Sequence, residues 1–137
     1  MMNDDERDAF LLERRLGTLA IARVGKGPLM APIWYGYNPG GTLDMCMGGS
    51  TAKAVRLRAE GSATVSVSDE GRPYRYVTVE GPVTVTPLGD GAKEAVKEMA
   101  SRYLGAAAGA RYAEAFNTPD EVIVRLTPRL WRAEILG

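Results

Sequence analysis

Pro73-Tyr74-Arg75-Tyr76-Val77-Thr78-Val79-Glu80-Gly81-Pro82-Val83-Thr84-Val85 reads as one long strand, because its apolar residues return at every second position. Val77, Val79, Val83 and Val85 share a face; Tyr74, Tyr76, Thr78 and Glu80 share the opposite one. Gly81-Pro82 breaks the run in its middle. Proline cannot donate to a ladder, so the pair marks a bend or bulge, the usual means of turning a barrel corner.

The flanking segments fit that reading. Upstream, Ser62 to Ser68 alternates cleanly, with Ala63, Val65 and Val67 on one face, and Asp69-Glu70-Gly71-Arg72 makes the turn between them. Further upstream, Leu19 to Arg23, Leu29 to Tyr37 and Leu43 to Met47 read as strands joined by Val24-Gly25-Lys26-Gly27 and Asn38-Pro39-Gly40-Gly41. Pro32 places the Leu29 strand at an edge or a bulge. Downstream, Glu121 to Leu126 and Leu130 to Leu136 close the set around Thr127-Pro128. Helices are expected after the Asn3 cap, with Arg14 and Arg15 in its last turn, and from Ala52 to Glu60 with Gly61 as the stop. Two more run from Asp90 to Leu104 and from Ala106 to Phe116, ended by Asn117-Thr118-Pro119. Six or seven strands in hairpin succession, with little strand-helix-strand alternation, argue for an antiparallel barrel carrying helices. The whole chain, 1–137, reads as a single domain without repeats.

Composition removes several functions. Lys and Arg number 17 and so do Asp and Glu, so no net charge draws the chain to nucleic acid or an anionic membrane. There is no histidine, hence no Ser-His or Cys-His pair, no imidazole metal ligand and no axial His to haem. The single cysteine, Cys46, cannot form an intrachain disulfide or a cysteine zinc site; mid-strand, it reads as a small buried hydrophobe. No apolar run is long enough to span a membrane, and the acidic start Asn3-Asp4-Asp5-Glu6 lacks a signal-peptide core, so the expected location is cytoplasmic. Met30, Met45 and Met47 read as core, and Asp44 and Glu80 as isolated carboxylates.

Two features remain that could carry chemistry. Gly48-Gly49-Ser50-Thr51 ends a strand and opens the Ala52 helix, with Lys53 and Arg56 on one helical face. Backbone N–H groups at a helix start, two hydroxyls, a lysine and close-approach glycines suit a phosphate. The plainer reading is a capped helix with a solvated basic face, but cations early in a helix oppose its dipole, so that reading leaves Lys53 unexplained. The second feature is aromatic: Trp34 and Tyr35, Tyr74 and Tyr76, and Trp131. They could wall a flat ring; on the residues alone, plugging barrel ends or covering a dimer face is the favoured use. No protein nucleophile or general base stands out, a combination that suits a bound cofactor supplying the reaction.

At this point the chain resembles the pyridoxamine 5′-phosphate oxidase-like flavin split barrels, more narrowly the branch using FMN or the 5-deazaflavin coenzyme F-420. The resemblance runs from Leu12 to Trp131. It is carried by Leu16-Gly17-Thr18-Leu19-Ala20, Pro28-Leu29-Met30-Ala31-Pro32-Ile33-Trp34-Tyr35, Gly49-Ser50-Thr51-Ala52-Lys53-Ala54-Val55-Arg56 and Pro73 to Gly81, with Arg102-Tyr103-Leu104-Gly105 and Leu126-Thr127-Pro128-Arg129. It implies a split-barrel homodimer with the cofactor between subunits. Lys53, Ser50 and Thr51 beside Gly49 would hold the phosphate, with Arg56 as a second contact. Ala31, Pro32, Ile33 and Trp34 would line the ring, while Tyr74, Tyr76 and Trp131 would reach it from the second copy. It also implies hydride or electron transfer to a small conjugated substrate, or else a non-catalytic module holding flavin, haem or tetrapyrrole. The family often has a basic residue two before the lysine; here it is Thr51, which keeps FMN open beside the deazaflavin. Without histidine, oxidation of pyridoxamine phosphate is not expected.

Overall fold

The computed structural model describes residues 1–115 and 119–136. Eight strands form one antiparallel, strongly curled sheet: β1 Gly17–Ile21, β2 Leu29–Ile33, β3 Gly36–Tyr37, β4 Leu43–Gly48, β5 Ser62–Ser68, β6 Tyr74–Pro87, β7 Glu121–Leu126 and β8 Leu130–Leu136. The neighbour order is β2-β1-β5-β6-β7-β4-β3, with β8 also paired to β6.

β6 turns the corner. Its first half pairs with β5 and β8, from Tyr76↔Ser68 to Pro82↔Ser62 and from Tyr74↔Leu136 to Glu80↔Leu130. Its second half pairs with β7, from Val83↔Leu126 to Pro87↔Val122. The change of partner falls at Gly81-Pro82, as the sequence predicts. There the chain after β7 crosses closely: Thr127 N–H donates to the Pro82 carbonyl at 2.9 Å and Arg129 N–H to the Glu80 carbonyl at 2.9 Å.

The order of strands also explains why the barrel is split. β2 and β3 stand at opposite ends of the path but are separated in sequence only by Trp34 and Tyr35. The segment predicted as one strand from Leu29 to Tyr37 is therefore two. Between them the Tyr35 N–H donates to the Tyr103 hydroxyl at 3.1 Å in place of a ladder bond. The predicted alternation survives the break: Ile33, Tyr35 and Tyr37 are buried, and Pro32 faces out. Counting β3 separately gives eight strands against the six or seven expected.

The inside of the half-barrel is filled by Leu19, Ile21, Leu43, Met45, Val65, Val67, Val77, Val79, Val124 and Leu126, with Phe10 and Leu11 of a short helix closing one end. That helix, α1 (Asp4–Leu12), starts at a capping box between Asn3 and Glu6. It stops before Arg14 and Arg15. Arg15 instead binds Asp69 at 2.7 Å, and Asp69 also takes Arg75 at 2.7 Å. Met30, expected in the core, is 60% exposed because β2 is an edge strand and Met30 points away from the barrel.

Three further helices pack outside. α2 (Ala52–Glu60) ends at Gly61 with φ 75°, the left-handed stop that glycine takes without strain. A 3₁₀ turn at Gly89–Gly91 leads into α3 (Ala92–Leu104), which buries Val96 and Ala100. α4 (Ala106–Ala115) lies against α3 so closely that a Cβ on Gly109 would stand 2.6 Å from the Ser101 backbone. The expected end of this helix at Phe116 and the break at Asn117-Thr118 lie outside the described residues. Among the described residues no helix is long and apolar enough to cross a membrane, and no cluster of His, Cys, Asp or Glu could hold a metal.

Candidate functional site

The break between β2 and β3 creates the site. Trp34 leaves the ladder and is held between two rings brought by α3 and α4. It stacks on Tyr103 with centroids 5.1 Å apart and planes 6° apart, and meets Tyr112 at 5.4 Å and 53°. Tyr103 is fixed in turn, its hydroxyl donating to the Arg15 carbonyl at 2.7 Å.

Beside Trp34 opens a cavity of about 380 Å³ lined by Leu16, Pro32, Ile33, Trp34, Cys46, Lys53 and Tyr112. A smaller void of about 50 Å³ continues inward past Trp34, Cys46 and Tyr112 to Val96, Met99 and Glu121. On the far side of Cys46 and Met99 the cleft runs on, about 510 Å³, between Asp44, Glu98, Arg102 and Arg125. A separate hollow of about 440 Å³ at the Gly81-Pro82 corner is lined by none of the expected cofactor-binding residues.

The structure thus brings Pro32, Ile33, Trp34 and Lys53 to one cavity, with Ala31 beside them on the edge strand β2. Lys53 reaches it because α2 starts directly after β4. Gly49 permits that turn: its N–H donates to the Asp120 carbonyl at 2.8 Å, and a Cβ there would sit 2.6 Å from the same oxygen. The two hydroxyls at the turn are used within the protein. Thr51 caps the helix, accepting from the Ala54 N–H at 3.3 Å and donating to the Gly48 carbonyl at 2.7 Å. Ser50 gives its N–H (3.1 Å) and its hydroxyl (2.7 Å) to the Asp120 carboxylate. Arg56 pairs with Glu60 at 3.1 Å along the helix. Arg58, on the next turn, donates to the Gly49 carbonyl.

No protein-family model matches the chain, and no curated protein matches it in sequence. Solved structures do match over almost its whole length. A conserved hypothetical protein from Mycobacterium tuberculosis aligns with TM-score 0.80 at 23% identity, covering 98% of this chain and 86% of that one. An F420 reductase aligns with TM-score 0.72 at 24% identity over 91% and 94% of the two chains. A putative pyridoxamine 5′-phosphate oxidase from Listeria innocua aligns with TM-score 0.73 at 17% identity over 95% and 96%. The chain has the pyridoxamine 5′-phosphate oxidase-like split-barrel fold.

In this split barrel the remaining aromatics lie away from the cavity within one protomer. Ile33 pairs with Gly17, Gly17 with Val67, and Val67 with Val77, so Tyr76 stands three strands from Ile33. At the usual strand spacing that is about 14 Å across the sheet. Tyr74, two residues on, is exposed. Trp131 on β8 packs inside its own chain, edge-on to Tyr37 with centroids 6.2 Å apart and with the Arg7 guanidinium 4.0 Å from its ring.

Two titratable groups of the split barrel beyond the expected site residues face the cleft. Cys46 is half-buried rather than sealed in the core, since Asp44, Cys46 and Gly48 are the outward set of β4. Burial, followed by the charges of Glu121 and Asp44, pushes its thiol up to about 11. Glu121 is buried, and its Oε1 has no hydrogen-bond partner among the described residues. Burial pushes its carboxyl up to about 7, Asp120 adds to the rise and Lys53 opposes it. The sequence carries one signal for Glu121, the alternation of Glu121, Ile123 and Arg125 with core Val122, Val124 and Leu126; that a glycine stands opposite it comes from the β4–β7 ladder.

Proposed function

We propose that the cavity beside Trp34 holds a flavin-type cofactor, FMN or the 5-deazaflavin coenzyme F-420, and that the protein is an oxidoreductase acting on a small conjugated molecule. The observation that carries this reading is the union of flat apolar walls with a single cation, Lys53, in one cavity at the break in the sheet. The fold's likeness to an F420 reductase supports it. The residues fit such a group. Trp34, Pro32 and Tyr112 offer planar or rigid faces to a ring, and the Glu121 Oε1, without a partner among the described residues, stands at the cavity's inner end.

Bound there, the cofactor supplies hydride or electron transfer. The chain's own residues position it. Lys53 neutralises an anionic tail, and Ser50 joins it by exchanging the Asp120 carboxylate for that tail. β2 is an edge, so backbone groups along Ala31–Trp34 are free to meet the ring from the side away from β1. Leu16 and Ile33 exclude water from the ring's apolar flank. In the homodimer we propose, Tyr74, Tyr76 and Trp131 of the second copy cover the opening.

The test adds FMN and coenzyme F-420 in turn to purified protein and follows absorption and fluorescence. One of them is expected to bind well below millimolar, and Lys53→Ala to weaken it tenfold or more, as loss of a charged hydrogen bond of about 1.5–3 kcal/mol requires. If neither binds below roughly millimolar, a free energy of only about 4 kcal/mol, the reading is wrong.

A further inference from the structure

Glu121 opens β7 and is 3% exposed. Among the described residues its Oε1 nevertheless meets no hydrogen-bond donor. A carboxylate in that position is unfavourable as an anion, and unfavourable as a neutral group until its proton finds an acceptor. Gly48 stands opposite it in the β4–β7 ladder and has no side chain to offer Oε1 a partner; a Cβ there would come within 4.0 Å of Oε1. The carboxyl therefore borders the small void between Trp34, Cys46 and Tyr112. Those three residues also line the larger cavity, so Glu121 lies at its inner end.

We propose that Glu121, in its neutral form, donates a hydrogen bond to an acceptor atom on the edge of a flat heteroaromatic ring in this cavity, which makes occupancy pH-dependent. The inference rests on the cofactor reading above and adds to it the group that reads the ring's edge. The titratable and charged neighbours are few. Among the described residues, Asp120 precedes Glu121 in the same turn, Lys53 comes from α2, Cys46 from β4 and Tyr112 from α4, while α3 brings Val96 and Met99 to the void and the Glu98 charge toward Cys46. With the carboxyl pushed up to about 7 by burial and by Asp120 against Lys53, the donor form dominates below neutrality. Above it the ionised group only accepts, and it repels a ring acceptor.

The experiment titrates FMN into wild-type protein and Glu121→Gln from about pH 6 to about pH 8.5 at constant ionic strength, followed by flavin fluorescence. Glutamine keeps an N–H donor and does not titrate. The FMN phosphate titrates alike in both proteins, so the ratio of the two dissociation constants isolates position 121. That ratio, wild type over variant, is expected to rise about tenfold or more across the range. A ratio independent of pH, with FMN bound by both, overturns the proposal and leaves the cofactor reading standing. If FMN binds neither protein, the same series is run with coenzyme F-420, and failure of both cofactors to bind at any pH overturns both readings. If Glu121→Gln does not fold, Glu121→Ala takes its place; it does not titrate either, and the same rise is expected.

Discussion

Glu121 keeps its proton in a pH range where the same side chain in an unfolded chain has lost it, because burial and Asp120 disfavour the anion more than Lys53 favours it. A carboxyl raised in the folded state stabilises below its unfolded pKa, and that contribution fades as pH rises through the folded value. Wild type is therefore expected to lose stability relative to Glu121→Gln between about pH 4.5 and about pH 7, by up to about 3 kcal/mol, and to change no further above that. Urea unfolding of the two proteins at a series of pH values checks it; parallel profiles would remove the buried proton. Asp69 cannot confuse the comparison. Burial works against it, but the hydrogen bonds from Arg15 and Arg75 hold its carboxyl below the usual range, and it titrates equally in both proteins. Cys46 gives a second expectation at this scale. Its thiol is pushed up to about 11, so little thiolate exists at neutral pH although the residue faces the cleft. Alkylation by iodoacetamide at neutral pH is expected to run well below the rate of free cysteine and to slow further when FMN is added. Labelling as fast as free cysteine would contradict the desolvated thiol.

β6 is the element on which the half-barrel turns, and Gly81 is the residue that lets it turn. A Cβ at Gly81 would collide with the Thr127 carbonyl oxygen and stand 3.0 Å from the Thr127 carbonyl carbon, both backbone atoms that cannot swing aside. Gly81→Ala must therefore open either the β6–β8 or the β6–β7 pairing. The expected cost is about 3 kcal/mol, at the upper end of overpacking effects, read as a shift of the denaturation midpoint. A shift within a few tenths of a kcal/mol would show that the corner is looser than described. This corner could be read from sequence, because Gly-Pro inside an alternating run has few structural meanings. So could β5, α2 and its Gly61 stop, where local periodicity and capping agree with the tertiary outcome. The break at Trp34-Tyr35 could not. Its alternation continues undisturbed, and only the Tyr103 hydroxyl, arriving from far along the chain, replaces the ladder bond. The site divides the same way. Lys53 and Pro32–Trp34 lie in local patterns around turns and edges, and they meet in the cavity. The claim of Asp120 on Ser50 and the isolation of Glu121 arise from the pairing of β4 with β7, which no local pattern encodes.

The whole molecule is a barrel left open between β2 and β3, and large apolar side chains stand exposed both beside that opening, at Leu16 and Met30, and on the β6–β8 face. Leu16 and Met30 are each 60% exposed, and Leu130 is 62% exposed, with Tyr74 and Leu136 also open to solvent. The proposed role of Tyr76 as a cover for the ring requires a second copy. Within its own protomer it stands three strands from Ile33, so it can touch a ring beside Trp34 only from another chain. Sedimentation velocity at micromolar protein is therefore expected to give a species of twice the 14.8 kDa protomer mass. Tyr76→Ala is expected to weaken FMN binding about three- to tenfold, the range of one aromatic contact of about 0.5–1.5 kcal/mol, without changing the unfolding midpoint much. The two measurements constrain each other. A dimer whose FMN affinity ignores Tyr76 assembles through another face, whereas a 14.8 kDa species that binds FMN as tightly as the variant closes its cavity with its own residues. In that second case the pairing of Trp34 with Tyr112, not a partner's ring, is what covers the opening, and Tyr112→Ala becomes the substitution that releases the cofactor.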